Sequence, residues 1–417
     1  MQSYASTIKK AGGLKPVNNE LLQPMKVPKR LLLGPGPSNL SERVIKAISN
    51  PLLGHMHLET FKMMDDIKAG LQYAFQTNNR LTLAISATGH SGMEASLANL
   101  LEPTDTILII KAGLWGERAQ EMAKRIGAHV EILEIALGVA ATLEEFEAAM
   151  IKYKPAVVFL THSESSTGLK QPLIGFGDVV RRHDALLIVD AVASLGGEPF
   201  FMDAWKIDAA YTGSQKVIGA PPGLAPISFN ERADLVFDRY FFFKYIKKLI
   251  LRKLFLRKTK SPVFYWDMEE LGNYWNCFSE PVRRYHHTIS ATLVYGLREG
   301  LAQLAEEGLE ASWYRHKLAA KKLQEGLKAR KLEFFVKEPE NRLNTITAIV
   351  VPPGVDPQLV TRRMMKKWNI EIAGGLGPTS GKIFRIGLMG INANLLIVDK
   401  LLQALDEVLS FARQSRL

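Results

Sequence analysis

Short apolar runs alternate with segments of helical periodicity through about residue 230. The runs are four or five residues long and read TLAIS, TILII, VVFL and LLIVD. Between them, apolar residues recur every three or four positions, which is typical of helices that cover a sheet. This alternation predicts a mainly parallel sheet with helices on both faces. Ligands of such sheets bind at the carboxyl ends of the strands, so the residues after each run are the first candidates for chemistry.

A different pattern begins near residue 310. A long helix, HKLAAKKLQEGLKARK, is followed by strands around FFVKE and TAIVV, a helix near 357–368, strands around IEIAG and FRIGL, and a final helix. This order is typical of a smaller α+β domain. We therefore predict an N-terminal arm over residues 1–30, a large domain over 31–307 and a small domain over 308–417.

Lys216 is the most informative residue. It lies in AAYTGSQKVIGAPPG, between a turn of small residues and a segment rich in Gly and Pro. An isolated lysine is normally a surface residue. This setting, together with a set of polar residues after four other strands, instead favours a lysine that forms a Schiff base with a carbonyl cofactor.

Three strand ends supply further candidates. Thr88, Gly89 and His90 precede a helical segment, where free backbone N–H groups form a phosphate site, although Gly and Ser also occur at such turns for steric reasons. Trp115 is either a core residue or a plate that stacks on a flat ring. Ser165 either caps the next helix or binds a cofactor oxygen.

Asp190 ends the apolar run LLIVD. A buried carboxylate is costly unless it is paired, and the N–H of a pyridinium ring is a suitable partner. Keeping that nitrogen protonated makes pyridoxal phosphate an electron sink. The order of phosphate turn, ring stacker, ring-nitrogen partner and lysine therefore points to a pyridoxal phosphate site.

Several segments together resemble class V aminotransferases of pyridoxal phosphate fold type I. They span nearly the whole chain and read LLLGPGPSNL, FLTHSESSTG, LLIVDAVASLGG, YTGSQKVIGAPPG, RYHHTIS and GGLGPTSGKIFRIGLMG. Within that family the chain is most similar to alanine:glyoxylate (serine:pyruvate) aminotransferases and 3-hydroxykynurenine transaminases. The resemblance implies an α/β fold whose large domain holds a mainly parallel seven-stranded sheet, with a smaller C-terminal α+β domain.

The resemblance also implies roles for particular residues. Lys216 would carry pyridoxal 5'-phosphate, and Gln215 would bind it beside Ser165. Arg385 would bind the substrate carboxylate, a role that suits a planar guanidinium, and Gly34 would line the substrate site. Tyr285 and Thr288 would reach the cofactor phosphate of a partner subunit, which implies a homodimer with composite sites.

The function implied is transfer of the amino group of alanine or serine to glyoxylate. 3-Hydroxykynurenine transaminase is the nearest alternative, and we disfavour it because Gly54 and His55 stand where relatives of that type have Ser and Asn. Cysteine desulfurase shares the fold but needs a nucleophilic cysteine, whereas Cys277 lies among aromatic residues and is interpreted as structural. A non-catalytic interaction or nucleic-acid-binding protein is the alternative from another class.

Charge is concentrated in one unusual segment. The 417-residue chain has a net charge of +11, which falls to +4 without the seven Lys and Arg of residues 240–258. Because the basic balance is local and no basic face with aromatic residues is visible, nucleic acid is not an expected partner. Residues 240–256 read as an anomalous insertion, which a retained intron or faulty gene model explains better than a functional element.

The remaining composition bears on compartment. With one cysteine, no disulfide framework is expected, and no uncharged apolar run is long enough to predict a membrane span. The sequence ends in Ser415, Arg416 and Leu417, a variant of the S-K-L peroxisomal address. We therefore expect recognition by a peroxisomal import receptor, with a mitochondrial or cytosolic location as the alternatives. No metal site is expected.

Overall fold

The computed structural model describes residues 7–237 and 260–414. The insertion predicted at 240–256 and the terminal residues Ser415, Arg416 and Leu417 lie outside this part of the chain. Residue contacts group residues 1–30 in one unit and residues 31–417 in a second. The predicted boundary between residues 307 and 308 falls inside the second unit and stays a prediction.

The first unit, described from residue 7, has a short 3-10 helix at Asn19–Leu22. Asn18 begins it by accepting a hydrogen bond from the backbone N–H of Glu20 at 3.0 Å. Apolar side chains of this unit are exposed, and they belong to Leu14, Val17, Leu21, Leu22, Met25 and Val27.

A seven-stranded sheet organises the second unit. Its strands are β2 (Leu81–Ile85), β3 (Thr106–Lys111), β4 (His129–Glu134), β5 (Val157–Thr161), β8 (Leu186–Asp190), β9 (Ala209–Tyr211) and β10 (Ala225–Phe229). They lie in the order β2-β10-β9-β8-β5-β3-β4, and only β10 runs antiparallel to its neighbours. The prediction of a mainly parallel seven-stranded sheet is confirmed. Its central strands are buried throughout, because helices cover both faces.

The helices associated with this sheet are α1 (Glu42–Ile48), α2 (Leu58–Phe75), α3 (Gly89–Leu100), α4 (Leu114–Ile126), α5 (Leu143–Tyr153), α6 (Phe176–Arg182), α7 (Glu231–Phe237), α8 (Met268–Tyr274) and α9 (Ala291–Glu307). Sequence sets their ends. Thr142 and Glu145, for example, form a capping box at the start of α5. Two further short strands, β6 (Ser163–Glu164) and β7 (Leu169–Lys170), pair with each other after β5.

A three-stranded sheet follows later in the chain. It contains β11 (Ile346–Val350), β13 (Ala373–Gly374) and β14 (Ile383–Gly387), while β1 (Leu31–Leu32) pairs with β12 (Ile370–Glu371). Helices α10 (Leu309–Ala329), α11 (Pro357–Trp368) and α12 (Leu395–Gln414) complete this region. Their apolar faces form a hydrophobic cluster separate from that of the large sheet.

One predicted strand is wrong. The segment FFVKE forms a single bridge between Phe334 and Ile349 rather than a strand. Phe335 also donates its backbone N–H to the carbonyl of Ala348 at 3.0 Å. The segment contacts β11 at these two points but does not form a continuous ladder of hydrogen bonds with it. The apolar residues of the segment do not by themselves specify whether such a ladder forms.

Among residues 7–237 and 260–414, no helix is long and apolar enough to cross a bilayer.

Candidate active site

A pocket of about 120 Å³ lies at the carboxyl ends of the large sheet's strands. Its wall consists of Thr88, Gly89, His90, Met93, Trp115, Ser165, Asp190, Val192, Tyr211, Gln215 and Lys216. The strands bring these residues together because the turns after β2, β3, β5, β8 and β9 all meet at one edge. Eight residues predicted from the sequence are therefore neighbours around one cavity.

Lys216 lies on the turn between β9 and β10. Its Nζ donates a hydrogen bond to the carbonyl of Pro35. Burial lowers the pKa of Lys216 to about 8, although the nearby carboxylate of Asp190 favours the charged form. The amine is thus easier to deprotonate than an ordinary lysine, which suits a group that must attack a carbonyl and accept a proton.

Gly36 makes room for this lysine. Its φ is +113°, and a Cβ at this position would overlap the Lys216 side chain. A glycine is therefore required by both the backbone and the contact. Gly36 was not predicted from the sequence, although the Gly and Pro residues of LLLGPGPSNL indicate a backbone of unusual shape.

Asp190 closes β8 with a buried carboxylate. Its Oδ1 accepts from the backbone N–H of Val192 at 2.8 Å, and its Oδ2 accepts from the hydroxyl of Tyr211 at 2.7 Å. Burial raises the pKa of Asp190 to about 6, while these hydrogen bonds oppose the rise. The carboxylate is held in one orientation and remains ionised above that pH.

Tyr211 was missed by the sequence analysis. It is fully buried and stands opposite Asp190 in the pairing of β8 with β9. Burial and the negative charge of Asp190 raise its pKa well above 10, so its hydroxyl stays a donor. Tyr211 is the last residue of its strand, as Asp190 is of β8. This position at a strand end is the feature of the sequence from which Tyr211 could have been predicted as a site residue.

The turn after β2 leads into α3. Thr88 precedes the helix, and its side chain makes no capping hydrogen bond. The exposed His90 packs edge-on against Trp115, with ring centroids 5.3 Å apart. The first N–H groups of a 12-residue helix and the free Thr88 hydroxyl therefore face the pocket, an arrangement that suits a phosphate.

Trp115 and Ser165 are directly bonded. The indole Nε1 donates to Ser165 Oγ at 2.7 Å. This bond fixes the ring plane and leaves the hydroxyl proton of Ser165 free to donate to another group. The geometry therefore agrees with the functional interpretation of both residues, in which Trp115 is a flat wall that stacks on a ring and Ser165 presents an oriented hydroxyl.

Arg385 lies on β14, next to the pocket but outside its wall. Its Nε donates to the carbonyl of Gly374 at 2.9 Å, and one terminal nitrogen donates to the carbonyl of Ser165 at 3.0 Å. Burial lowers its pKa, and the carboxylate of Glu164 opposes this effect. Two carbonyls thus orient the guanidinium without neutralising its charge, as a carboxylate-binding residue requires.

Gly34 is buried beside the same small sheet. A Cβ at Gly34 would lie 2.9 Å from Glu371 Oε1, and a Cβ at Gly387 would overlap the Gly34 carbonyl. The loop that carries Gly34 therefore passes very close to β14, the strand of Arg385. Its predicted contact with substrate stays a prediction.

Tyr285 and Thr288 are not brought to this pocket. Their hydroxyl oxygens lie 3.5 Å apart, and Tyr285 is 57% exposed. The Tyr285 ring instead packs near His55, with centroids 5.1 Å apart. Within one chain these residues form part of the surface, and their predicted role depends on a second subunit.

The pocket fits pyridoxal phosphate. Gln215 Oε1 is buried and accepts no hydrogen bond from the described part of the chain. Thr88, Gly89 and His90 would hold the phosphate, Trp115 would cover one ring face, and Asp190 would meet the ring nitrogen. No group of three or more His, Cys, Asp or Glu side chains that could hold a metal is present among residues 7–237 and 260–414.

A family model described as aminotransferase class V matches residues 30–237 and 245–390. The chain belongs to the class V aminotransferases. Enzymes of this family are transaminases that use pyridoxal phosphate. The protein is therefore a transaminase that uses this cofactor, and its substrates are amino acids and 2-oxo acids. The unmatched residues 238–244 overlap the beginning of the anomalous basic segment.

Named class V relatives are similar over nearly their full length. An alanine–glyoxylate aminotransferase of Drosophila melanogaster is 48% identical over 394 residues, which cover 94% of this chain and 95% of the relative. Its counterpart in Callithrix jacchus is 47% identical over 397 residues, covering 95% and 92%. The crystal structure of an alanine–glyoxylate aminotransferase from Nostoc sp. superimposes with a TM-score of 0.86 at 42% identity, covering 95% and 100%.

Cys277 does not have the properties of a desulfurase nucleophile. It is buried, and its Sγ lies 3.7 Å from the carbonyl oxygen of Thr82. Burial raises the pKa of the thiol to about 12, so a thiolate is strongly disfavoured. The structural interpretation of this cysteine agrees with its surroundings.

Proposed function

We propose that this transaminase transfers the amino group of alanine, or of serine, to glyoxylate. The products are glycine and pyruvate, or glycine and hydroxypyruvate. The observation that carries the proposal is the convergence of Lys216, Asp190 and Trp115 on one pocket, with Arg385 bonded to its edge. The names of the relatives from Drosophila, Callithrix and Nostoc support this choice of substrates.

The chain's own residues divide the work. Bound pyridoxal phosphate supplies the electron-withdrawing ring that makes the α-proton of an amino acid acidic. Lys216 Nζ, with its pKa lowered to about 8, accepts that proton and later returns it. Asp190 would place a negative charge at the ring nitrogen of the bound cofactor, and its orientation is set in advance by Tyr211 and Val192.

Arg385 orients the substrate. A planar guanidinium forms two parallel hydrogen bonds with a carboxylate, and both amino acids and 2-oxo acids carry this group. One binding group would therefore serve both half-reactions, while the indole of Trp115 would cover one face of the cofactor ring. The bond from Trp115 to Ser165 keeps that wall in place.

The test is a donor and acceptor comparison on purified protein. Alanine, serine and 3-hydroxykynurenine are assayed against glyoxylate and pyruvate, with Lys216→Ala as the inactive control. We expect the highest kcat/KM with alanine or serine and glyoxylate. A kcat/KM for 3-hydroxykynurenine more than roughly tenfold above that for alanine would favour the alternative activity.

We also propose a homodimer with composite sites. Tyr285 and Thr288 are exposed and lie outside the wall of their own pocket, which is the position expected of residues that complete a partner's phosphate site. The first unit presents exposed apolar side chains, such as Met25 at 88% exposure, that a second subunit would cover. Sedimentation at assay concentration should give a dimer, and an active, cofactor-saturated monomer would exclude this proposal.

The proposed location is the peroxisome. It rests on Ser415, Arg416 and Leu417, which an import receptor would read as a terminal address. A fluorescent protein fused at the N-terminus should give puncta with a peroxisomal marker, and removal of the three residues should disperse them. A diffuse signal from both fusions would favour the cytosol, and a mitochondrial pattern would favour an N-terminal signal.

A further inference from the structure

Glu164 is a buried carboxylate beside the pocket that the transamination chemistry above does not use. It lies on β6 and is 1% exposed. Its carboxylate accepts hydrogen bonds from the backbone N–H of Ser166 at 3.0 Å and from the backbone N–H of Trp115 at 3.2 Å. The hydroxyl of Ser166 donates a third. The carboxylate thus stands at the amino end of α4, where a negative charge is favoured.

The chain is shaped to accommodate this group. Gly113 precedes α4, and a Cβ at this position would overlap the Glu164 carboxyl group. The Ser166 hydroxyl also accepts from the backbone N–H of Leu114 at 3.2 Å. Glu164 and Ser166 therefore hold the turn that carries Trp115, which places the carboxylate directly behind the cofactor wall.

Three other charged or titratable groups interact electrostatically with Glu164. Asp190 of β8 adds negative charge, the Tyr211 hydroxyl of β9 is neutral, and Arg385 of β14 has its charge favoured by the Glu164 carboxylate. Arg385 is bonded to the carbonyl of Ser165, the residue after Glu164. In the absence of substrate, Glu164 therefore supplies negative charge close to the guanidinium.

A substrate carboxylate at Arg385 would change this balance. It brings a further negative charge to a site already occupied by two buried carboxylates, Glu164 and Asp190. Like charges in a poorly solvated site cannot both remain ionised without a large cost, and that cost falls when one of them is protonated.

We propose that Glu164 takes up a proton from solvent when the carboxylate of a substrate binds at Arg385. Glu164 is then a positioning residue that adjusts charge, while Arg385 makes the contact with substrate. This inference rests on the proposed role of Arg385. The reaction is a simple protonation: the carboxylate becomes a carboxylic acid, and the hydroxyl so formed donates to Ser166 Oγ, which gives up its own donation to Glu164.

Of the acidic groups here, Glu164 is the one suited to this change near neutral pH. Burial raises the pKa of Glu164 to about 7, whereas the hydrogen bonds to Asp190 and the proposed ring-nitrogen contact favour ionised Asp190. The pKa of Tyr211 is raised well above 10, so the tyrosine keeps its proton. Burial and the charges of Arg118 and Lys216 lower the pKa of His90, so this ring stays neutral in the same range.

The pH dependence has a definite sign. Below about pH 7 Glu164 already holds its proton, so substrate binding takes up little. Above that pH the ionised carboxylate must be protonated, and affinity for a carboxylate ligand should fall by up to about tenfold per pH unit. The fall ends once the pH exceeds the raised pKa of Glu164 in the complex.

The experiment uses the cofactor-loaded enzyme and propionate, which is alanine without its amino group and cannot be transaminated. Calorimetric titration at about pH 7.5 in phosphate and in Tris, buffers of different ionisation enthalpy, gives the number of protons taken up. We expect roughly half a proton or more per site in the native enzyme and a clear decrease in Glu164→Gln. Lys216 and the cofactor also titrate in this range, so only the part lost in the variant belongs to Glu164.

Two further variants make the result decisive. Glu198 is another buried carboxylate with a raised pKa, bound by Asn344 and away from the pocket wall, so Glu198→Gln should retain the native proton uptake. Ser166→Ala removes one donor to the ionised form of Glu164 and should move the pH dependence of propionate binding to higher pH. It serves as the test if Glu164→Gln fails to fold or to retain cofactor.

Outcomes against the inference are equally clear. Proton uptake in Glu164→Gln equal to that of the native enzyme would refute it. For Ser166→Ala, an unchanged pH dependence would do the same. Unaltered propionate affinity in Arg385→Lys would instead refute the proposed carboxylate site itself, so the two failures are distinguishable.

Discussion

The cofactor pocket and the surface around Tyr285 are two parts of one predicted site, and their structural completeness differs. Around Lys216, residues from five strand ends meet, and buried carboxylates have hydrogen-bond partners within the chain. Tyr285 and Thr288 are exposed, and the contact between their hydroxyl groups is long at 3.5 Å. Folding of one chain assembles the first part, whereas the residues of the second part lie on the surface of that chain.

This difference distinguishes the residues proposed to transfer protons from the residues proposed to complete the phosphate site. In the proposed mechanism, proton transfer depends on Lys216 and Asp190, which one chain positions by itself. In the proposed homodimer, retention of the phosphate depends in addition on residues of the other subunit. Changes in the pocket should therefore affect turnover, and changes at the Tyr285 surface should affect cofactor retention and assembly.

The largest effect should come from Lys216→Ala. Removal of the positioned amine eliminates proton transfer, and we expect transamination to fall by at least about 10³-fold. Stopped assays with alanine and glyoxylate measure the loss, and absorbance of the purified protein shows whether cofactor stays bound noncovalently. Lys321→Ala, at an exposed lysine on α10, is the matched control. Near-native activity in Lys216→Ala would end the aminotransferase assignment of this pocket.

Asp190→Asn should have the next largest effect. The amide keeps the shape but cannot hold a negative charge at the ring nitrogen, so kcat should fall by roughly 10²-fold to 10³-fold. Cofactor affinity should change much less, because the phosphate and Lys216 contacts remain. Steady-state kinetics and cofactor titration measure the two quantities. Equal losses in both would make Asp190 a structural residue.

Gly36→Ala tests how closely the pocket is packed. The added methyl overlaps the Lys216 side chain and also strains a backbone at φ +113°, so we expect turnover to fall by up to about 10²-fold through displacement of the amine. Gly354→Ala imposes a similar backbone strain at φ +76° with no atom within 4 Å of the new Cβ. If both variants retain native kcat, the close contact at Lys216 has no functional consequence.

A mixing experiment tests the incomplete part of the site. Chains with Lys216→Ala and chains with both Tyr285→Ala and Thr288→Ala should each be weak or inactive alone. Heterodimers of the two contain one intact composite site, so unfolding and refolding them together should recover about a quarter of native activity if pairing is random. Refolding each variant by itself is the control. No recovery on mixing, with heterodimers present, would place all functional residues of a site in one chain.

Strand ends were predictable because they follow a local rule. Each apolar run marks a buried strand, and polar residues directly after it lie at the ligand-binding edge of a parallel sheet. Thr88, Trp115, Ser165, Asp190 and Lys216 were therefore found from the sequence, and the family resemblance supplied their roles. The same rule failed for FFVKE, because an apolar segment does not specify whether a partner strand continues beside it.

The sequence by itself determined the mainly parallel sheet, the order of the functional residues along the chain and the family to which the protein belongs. These features depend on short-range patterns and on whole motifs. Only the tertiary structure decided which buried groups share one environment. Tyr211 contacts Asp190 because of the register between their strands. Gly36 packs against Lys216, which lies 180 positions later in the chain. Glu164 accepts a hydrogen bond from the backbone of Trp115. Such contacts arise from packing between distant segments, and the charges they bring together set the pKa of each group.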